Sequence, residues 1–137
     1  MEKEQHDSHQ NKMRILVVDH HAVTRRSLIK LFETECGFMV FSEAENAEQA
    51  MKAIARQEFD LAIVDISMEG TNGLELIKKM KLSHPDMSIL VFSMPDGHIY
   101  SRYAISAGAS GYVSKCEEPE NIINAIRHAL NENICTH

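Results

Sequence analysis

The sequence predicts an α/β fold, a doubly wound parallel sheet of five strands with helices on both faces. Short unbroken apolar runs, of which residues 61–64 are the clearest, are typical of strands buried on both faces of a parallel sheet. These runs alternate with longer segments in which apolar residues recur at helical spacing, as strand–helix–strand units require. At 137 residues the chain is long enough for one such core and too short for a second domain.

The composition is that of an ordinary globular protein and argues against several functional classes. Apolar residues make up 44% and charged residues 25%, and the formal net charge of −6 disfavours general binding to nucleic acid or anionic membranes. Three cysteines without CxxC spacing indicate neither a disulfide framework nor a thiolate zinc site. No apolar run approaches the roughly 18 residues that cross a bilayer, and the amino end lacks a signal-peptide core. We therefore expect a cytoplasmic protein without membrane contact.

The first predicted elements are a polar tail, a strand and a helix. Residues 1–12 lack an apolar anchor, so we expect a disordered tail there. The apolar segment 13–18 predicts a strand, which Asp19 follows. Residues 22–35 carry apolar side chains at helical spacing, and Gly37 is placed to end that helix. The chain thus begins with a strand, an acid and a helix.

The middle of the chain repeats this alternation. Residues 38–41 suit a second strand, and Asn46 suits the N-cap of a helix whose apolar residues follow the i, i+3, i+4, i+7 rule. Residues 59–65 predict a third strand that closes on the carboxylate of Asp65. Pro85 lies just past the expected end of the next helix.

Two short strands and two helices complete the predicted domain. Residues 88–93 and 111–113 predict the strands, and Pro119 is placed in the first turn of the final helix. The apolar faces of the two helices are formed by Ile99, Tyr103 and Ala107 in the first, and by Ile122, Ile126, Ala129 and Leu130 in the second. We place the domain at residues 13–131 and expect residues 132–137 to fray.

Four polar residues stand at or just past the ends of separate strands: Asp19, Asp65, Ser93 and Lys115. Because the carboxyl ends of parallel strands share one edge of a sheet, we expect these side chains to meet. Two carboxylates hold a hard cation such as Mg²⁺, while a hydroxyl and an ammonium grip the oxygens of a phosphoryl group. Asp65 is then placed to attack phosphorus, which gives an aspartyl phosphate.

The chain resembles the receiver domain of two-component response regulators from Met13 to about Leu130. Four segments carry the resemblance: ILVVDHHAVTRRSL, DLAIVDISMEGTNGLELIKKM, VFSMPD and GASGYVSK. They look like the family's acidic cluster, phosphoacceptor segment, switch hydroxyl and invariant lysine. The GYVSK ending is most similar to the subfamily with a helix-turn-helix DNA-binding domain after the receiver. The resemblance implies the flavodoxin-like strand order 2-1-3-4-5.

The resemblance also implies a function and its residues. A sensor histidine kinase or a phosphotransfer protein would phosphorylate the domain with Mg²⁺ as cofactor, and the outcome would be control of transcription. The resemblance implies that Asp65 is the phosphoacceptor and that Asp19, Asp65 and the backbone carbonyl of Ser67 bind the metal. It implies that Ser93 is the switch hydroxyl and that Lys115 pairs with the phosphate. Tyr112 is the implied aromatic residue whose burial reports activation. The family often forms homodimers, and DNA would be bound only through an output domain.

Three residues depart from the family's pattern. His20 stands where a second acid usually binds the metal, and imidazole suits softer ions better than Mg²⁺. We predict weaker binding of Mg²⁺ with a relative gain for Mn²⁺ or Zn²⁺. The alternative is that His20 points into solvent while Asp19 and Asp65 loosely hold a hydrated Mg²⁺.

Glu69 replaces a proline that is common in the family. Met94 replaces a small residue, so it either limits access to the phosphoacceptor or serves only in packing.

The expected output surface follows the fourth strand. Its candidate residues are Tyr100, Arg102, Tyr103, Tyr112 and Arg127. The chain is either a single-domain regulator or the front part of a longer transcription factor.

Two other interpretations place the chain in different functional classes. A receiver that never takes phosphate would work as a protein-interaction module, and His20 and Glu69 favour that hypothesis. A small enzyme on the same fold fits less well, and we do not expect one. A flavodoxin needs a hydroxyl-rich loop where this chain has DHHAVT, and an aspartate-dependent phosphatase needs a second acid where it has Ser67.

Overall fold

The computed structural model describes residues 12–35, 37–66, 73–94 and 101–134. Strands and helices alternate through these ranges. The strands are β1 (Met13–Val18), β2 (Phe38–Ala44), β3 (Leu61–Val64), β4 (Ser88–Ser93) and β5 (Gly111–Ser114). The helices are α1 (Ala22–Glu33), α2 (Ala47–Arg56), α3 (Gly73–Ser83), α4 (Ser101–Ala107) and α5 (Pro119–Ile134). No helix within these ranges combines the length and the apolar character needed to cross a membrane.

The five strands form one parallel sheet in the order β2-β1-β3-β4-β5. This is the predicted order. The chain starts near the middle of the sheet, builds outward to β2 and then crosses back to β3, as right-handed crossovers through helices allow. The central strands β3 and β4 are buried along their whole length, which accounts for their unbroken apolar sequences.

Two hydrophobic cores lie on opposite faces of the sheet, because successive side chains of a strand point to opposite sides. On β1, Ile15 and Val17 pack with α1 and α5, whereas Leu16 and Val18 pack with α2, α3 and α4. The predicted apolar positions of α5 are buried on the first face. Both faces are therefore covered by helices, as predicted.

The predicted N-cap of α2 and two glycines after helices act as local signals at helix ends. The side chain of Asn46 accepts a hydrogen bond of 2.9 Å from the backbone N–H of Gln49 and caps α2. Gly37 has a φ of 103° and Gly108 a φ of 121°, a conformation that side chains with a Cβ rarely adopt. These glycines reverse the chain after α1 and α4.

The structure differs from the sequence-based prediction in six elements. Helix α1 ends at Glu33 rather than residue 35, β3 spans Leu61–Val64 rather than residues 59–65, and β5 ends at Ser114 rather than residue 113. Strand β2 extends to Ala44 rather than residue 41, because Ser42 and Glu43 lie on an edge strand where polar side chains meet solvent. In α4, Ala104 is buried and the predicted Ala107 packs against the same core, whereas the predicted Tyr103 is 61% exposed. The predicted Ile99 lies outside the described residues. Helix α5 continues to Ile134, beyond the predicted start of fraying.

The start of α3 packs directly against the segment that leaves β3. A Cβ built on Gly73 would lie 2.5 Å from the Cα of Ile66, so no larger residue fits there without movement. Ile66 follows Asp65 in the chain. The glycine therefore fixes the first turn of α3 beside the candidate phosphoacceptor.

Candidate functional site

The two predicted carboxylates lie at the carboxyl ends of neighbouring strands. Asp19 follows β1 and Asp65 follows β3, and their side chains are buried. The backbone N–H of Asp65 donates to the carbonyl of Val18 at 3.0 Å, and that of Asp19 donates to Ala44 at 2.9 Å. Both acids thus continue the hydrogen bonding of the sheet by one residue. The rigid sheet fixes their backbone positions.

Lys115 joins the two carboxylates. Its Nζ lies 2.7 Å from Oδ2 of Asp19 and 3.0 Å from Oδ2 of Asp65. Its backbone N–H donates to the carbonyl of Ser93 at 2.7 Å, which fixes the start of its side chain next to β4. The ammonium also lies 5.9 Å from the centre of the Phe92 ring. Three separate strand ends therefore contribute to one charged centre.

The charges of this centre do not cancel. Two carboxylates and one ammonium leave a formal charge of −1. Burial by itself lowers the pKa of Lys115, but hydrogen bonds and charge attraction from Asp19 and Asp65 outweigh it, so the pKa of Lys115 is raised above its usual value. The lysine remains charged at neutral pH. The remaining negative charge attracts a cation.

Ser93 ends β4 at the same edge of the sheet. It is completely buried, and its hydroxyl has no hydrogen-bond partner among the described residues. It is paired in register with Ser114, the residue before Lys115. A buried hydroxyl without a partner is unfavourable for the resting protein. It is therefore available to a ligand at this edge.

His21 is a residue of the site that the sequence analysis missed. Its backbone N–H donates to Oδ1 of Asp19 at 2.8 Å, and its ring Nδ1 lies 3.4 Å from the same oxygen. Ligand atoms of Asp19, His21 and Asp65 lie within 4.8 Å of one another. His20, the predicted departure, is exposed and lies outside this group, with its ring edge-on to His21 at 5.4 Å. The second of two consecutive histidines at the start of α1 was the only available signal.

Arg25 is the second residue that was missed. Its guanidinium donates to the backbone carbonyl of Asp19 at 2.6 Å and to the carboxylate of Glu43 at 2.8 Å. The contacts tie α1 to the ends of β1 and β2. The sequence pattern did not single out Arg25, because its carboxylate partner Glu43 lies on another element, 18 residues further along the chain.

The remaining predicted residues have different surroundings. The hydroxyl of Tyr112 donates to the backbone carbonyl of Met94 at 3.2 Å, and Met94 itself is 47% exposed. This contact links β5 to the residue after Ser93. The predictions for Ser67, Glu69 and Tyr100 fall outside the described residues.

The assignment of Arg127 to the output surface was wrong. Its guanidinium pairs with Glu35 at 2.6 Å and lies over the ring of Phe38 at 5.9 Å. Both partners belong to the α1 and β2 region, whereas Tyr112 packs with the core on the α4 side of the sheet. The sheet separates Arg127 from α4.

The site has the donor set of a divalent-cation site. Asp19 and Asp65 provide buried carboxylate oxygens, which are the ligands that Mg²⁺ and related ions prefer, and His21 adds a nitrogen. The unpartnered hydroxyl of Ser93 and the ammonium of Lys115 are donors for oxygens of a second, anionic ligand. These residues fit a cation and a phosphoryl group together.

Comparisons with known proteins agree with this arrangement. The sequence profile of the response regulator receiver domain matches residues 15–127. The transcriptional regulatory protein DegU of Brevibacillus brevis is 29% identical over 118 residues, covering 86% of this chain and 50% of that protein. The response regulator UvrY of Escherichia coli (strain K12) is 32% identical over 113 residues, covering 82% of this chain and 52% of that protein. The chain spans about half the length of these curated relatives.

A solved structure shows the same fold. The crystal structure of a two-component response regulator of the LuxR family from Aurantimonas sp. SI85-9A1 superposes with a TM-score of 0.83 at 30% identity. The match covers 88% of this chain and 86% of that one. A CheY-like receiver domain protein from Methanospirillum hungatei JF-1 superposes with a TM-score of 0.82 at 26% identity, covering 92% and 99%. Together with the observed strand order, these likenesses confirm the predicted flavodoxin-like fold.

Proposed function

The chain belongs to the family of response regulator receiver domains, and we propose that it is a signalling switch in which Asp65 accepts a phosphoryl group. One observation carries this proposal: Lys115 contacts the carboxylates of Asp19 and Asp65 at a single sheet edge. A buried aspartate beside an ammonium and an unpartnered hydroxyl is equipped to attack phosphorus and to retain the product.

The transfer requires an oxygen of Asp65 to bond to phosphorus while the bond from phosphorus to a donor histidine nitrogen breaks. The electron pair of that bond returns to the nitrogen. Lys115, 3.0 Å from Oδ2 of Asp65, neutralises charge on the transferred group. Ser93 donates its hydroxyl to a phosphoryl oxygen. A divalent cation held by Asp19, Asp65 and the carbonyl of Ser67 would supply further positive charge.

The switch would follow from the same contacts. The phosphoryl group adds negative charge and acceptors, so Lys115 and Ser93 turn towards it. Because Tyr112 donates to the carbonyl of Met94, a movement after Ser93 is passed to β5. Met94, which is 47% exposed, follows Ser93 in the chain, and its side chain would limit the access of phosphodonors and of water.

The partners follow from the family. The phosphoryl group comes from a sensor histidine kinase or a phosphotransfer protein in the cytoplasm. Relatives named as a transcriptional regulatory protein and as response regulators suggest control of transcription. DNA would be contacted through an output domain outside this chain, and a homodimer is the expected active form.

Labelling with a small phosphodonor tests the proposal. Acetyl phosphate with Mg²⁺ should add one phosphoryl group to the intact mass of the wild type, and Asp65→Asn should gain none. Asp86→Asn, an exposed carboxylate in the turn before β4, is the matched control and should label as the wild type does. Labelling that persists in Asp65→Asn would contradict the assignment.

A wild type that takes no phosphate would favour the second candidate, a phosphorylation-independent interaction module. The replacement of the usual second acid by His20 supports that candidate. Its partner binding would be the same in Asp65→Asn and in the wild type, with or without a phosphodonor.

A further inference from the structure

We propose that His21 is a direct metal ligand, and that Asp19, His21 and Asp65 bind divalent transition ions such as Zn²⁺ and Ni²⁺ in preference to Mg²⁺. The proposal rests on the metal site of the proposed function and names the ion class that this site selects. It also assigns to His21 the role in metal selectivity that the sequence analysis predicted for His20.

The distances fit an ion of this class. Zinc binds histidine nitrogen and carboxylate oxygen at about 2.0–2.1 Å, so two ligands at a tetrahedral angle are about 3.4 Å apart. The Nδ1 of His21 and Oδ1 of Asp19 are separated by 3.4 Å. The third ligand comes from Asp65, and all three atoms lie within 4.8 Å of one another. Small side-chain rotations bring them onto one ion.

The backbone holds His21 in place for this role. Its N–H donates to Oδ1 of Asp19, which closes a tight turn between the end of β1 and the start of α1. His21 is the N-cap of α1, yet its side chain makes no capping hydrogen bond. The ring is 68% exposed and presents Nδ1 to the acid. Metal binding by the ring would therefore not break a helix cap.

The charges explain the selectivity. Hard Mg²⁺ depends on ionised oxygen ligands and keeps its waters, whereas imidazole suits Zn²⁺ and Ni²⁺. The ammonium of Lys115 already offsets one of the two carboxylate charges, and His20 cannot supply the missing acid. Mg²⁺ thus finds a formal charge of only −1, while a transition ion gains a strong neutral ligand. The buried, unpartnered hydroxyl of Ser93 at the same edge is a second sign that this region is built for a ligand.

Metal affinities of four proteins test the proposal. Zn²⁺ and Ni²⁺ affinities are measured by competition with a chelating indicator, and Mg²⁺ affinity by calorimetry, for the wild type, His21→Ala, His20→Ala and His21→Asp. Loss of an outer-sphere partner typically lowers metal affinity 10- to 100-fold, so loss of a direct ligand should lower Zn²⁺ affinity at least about tenfold. His21→Ala should show this loss with Mg²⁺ affinity nearly unchanged. His21→Asp should bind Mg²⁺ more tightly than the wild type.

His20→Ala is the matched control, because the chain has eight histidines that bind transition ions weakly. It should retain the wild-type affinity for Zn²⁺. In the wild type, nuclear magnetic resonance of the imidazole rings should show that Co²⁺ shifts the signals of His21 first. The three variants should keep the circular dichroism of the wild type, because the His21 ring forms no cap.

The proposal is overturned if His21→Ala binds Zn²⁺ as the wild type does, or if His20→Ala shows the loss instead. Its failure is distinct from failure of the proposed function. Labelling of Asp65 with Mg²⁺ and normal Zn²⁺ binding by His21→Ala would leave the phosphorylation switch intact and remove only the role of His21.

Discussion

Lys115 and Lys81 are two partly buried lysines in different regions, and their pKa values move in opposite directions. Lys115 lies between two carboxylates at the carboxyl end of the sheet, and its pKa is raised because these acids outweigh its burial. Lys81 donates to the carbonyls of Pro85 and Met87 at 2.9 and 2.8 Å, beyond the end of α3. Burial lowers its pKa, and the charge of Asp86 offsets this only in part.

The comparison distinguishes a lysine that stabilises the fold, Lys81, from a lysine of the candidate functional site, Lys115. Carbonyl oxygens satisfy the hydrogen bonds of an ammonium but do not balance its charge, so Lys81 stabilises a corner of the fold at an electrostatic disadvantage. Two carboxylates more than balance the charge of Lys115. The ammonium of Lys115 is therefore held by charge attraction as well as by hydrogen bonds, whereas that of Lys81 is held mainly by hydrogen bonds.

Removing the ammonium of Lys115 should have the largest effect. We expect Lys115→Met to lower the free energy of unfolding by about 3 kcal/mol at neutral pH, since it removes the ammonium that both buried carboxylates contact. It should also abolish labelling by acetyl phosphate. Urea unfolding followed by circular dichroism measures the first effect. Lys81→Met is the control and should lose about 1 kcal/mol and label normally. Equal losses in the two variants would refute the distinction.

Arg25 has both kinds of partner, a carbonyl and a carboxylate, and should give an intermediate effect. Arg25→Met should lower the free energy of unfolding by about 1.5 kcal/mol, because the carbonyl of Asp19 loses a charged donor and Glu43 loses its partner. Metal affinity should fall as well, because the Asp19 segment is less firmly held. The exposed neighbour Arg26 supplies the control, and Arg26→Met should stay within about 0.5 kcal/mol of the wild type. A normal metal affinity in Arg25→Met would show that the contact serves stability alone.

The smallest effect is a difference in pH dependence. Because the folded pKa of Lys115 is raised, its contribution to stability is complete below the unfolded value of 10.5 and is lost as the pH rises through the folded pKa. The folded pKa of Lys81 is lowered, so its unfavourable term is complete below that pKa and is relieved as the pH rises towards 10.5.

Urea unfolding from about pH 9 to about pH 11 should resolve these opposite slopes. The stability difference between the wild type and Lys115→Met should shrink at the upper end of this range. The difference between the wild type and Lys81→Met should shift in favour of the wild type as the pH rises. Parallel curves for the two variants would mean that the lysines do not differ in this way.

The sequence predicted those site residues whose positions depend only on parallel strand pairing. Asp19 and Asp65 each follow an apolar run, and neighbouring parallel strands end at one edge, so their meeting required no knowledge of side-chain packing. His21 was missed because its place depends on a backbone turn. Arg25, on helix α1, was missed because its partner Glu43 lies on strand β2.

The remaining errors have related physical causes. The end of β2 was placed too early because an edge strand tolerates polar residues that an apolar pattern cannot recognise. Arg127 was assigned to the wrong surface because helical periodicity defines the faces of a helix but not the neighbours that each face meets. The prediction of Tyr103 for the apolar face of α4 is the same kind of error, in a helix of only seven residues.

The absence of a side chain at Gly73 has a mechanical consequence. A Cβ on residue 73 would clash with the backbone of Ile66, so the chain that leaves β3 and the start of α3 are in direct backbone contact. A displacement of the backbone next to Asp65 would therefore meet the backbone of α3 directly. The proposed phosphorylation of Asp65 would then act next to a helix that carries none of the reacting groups.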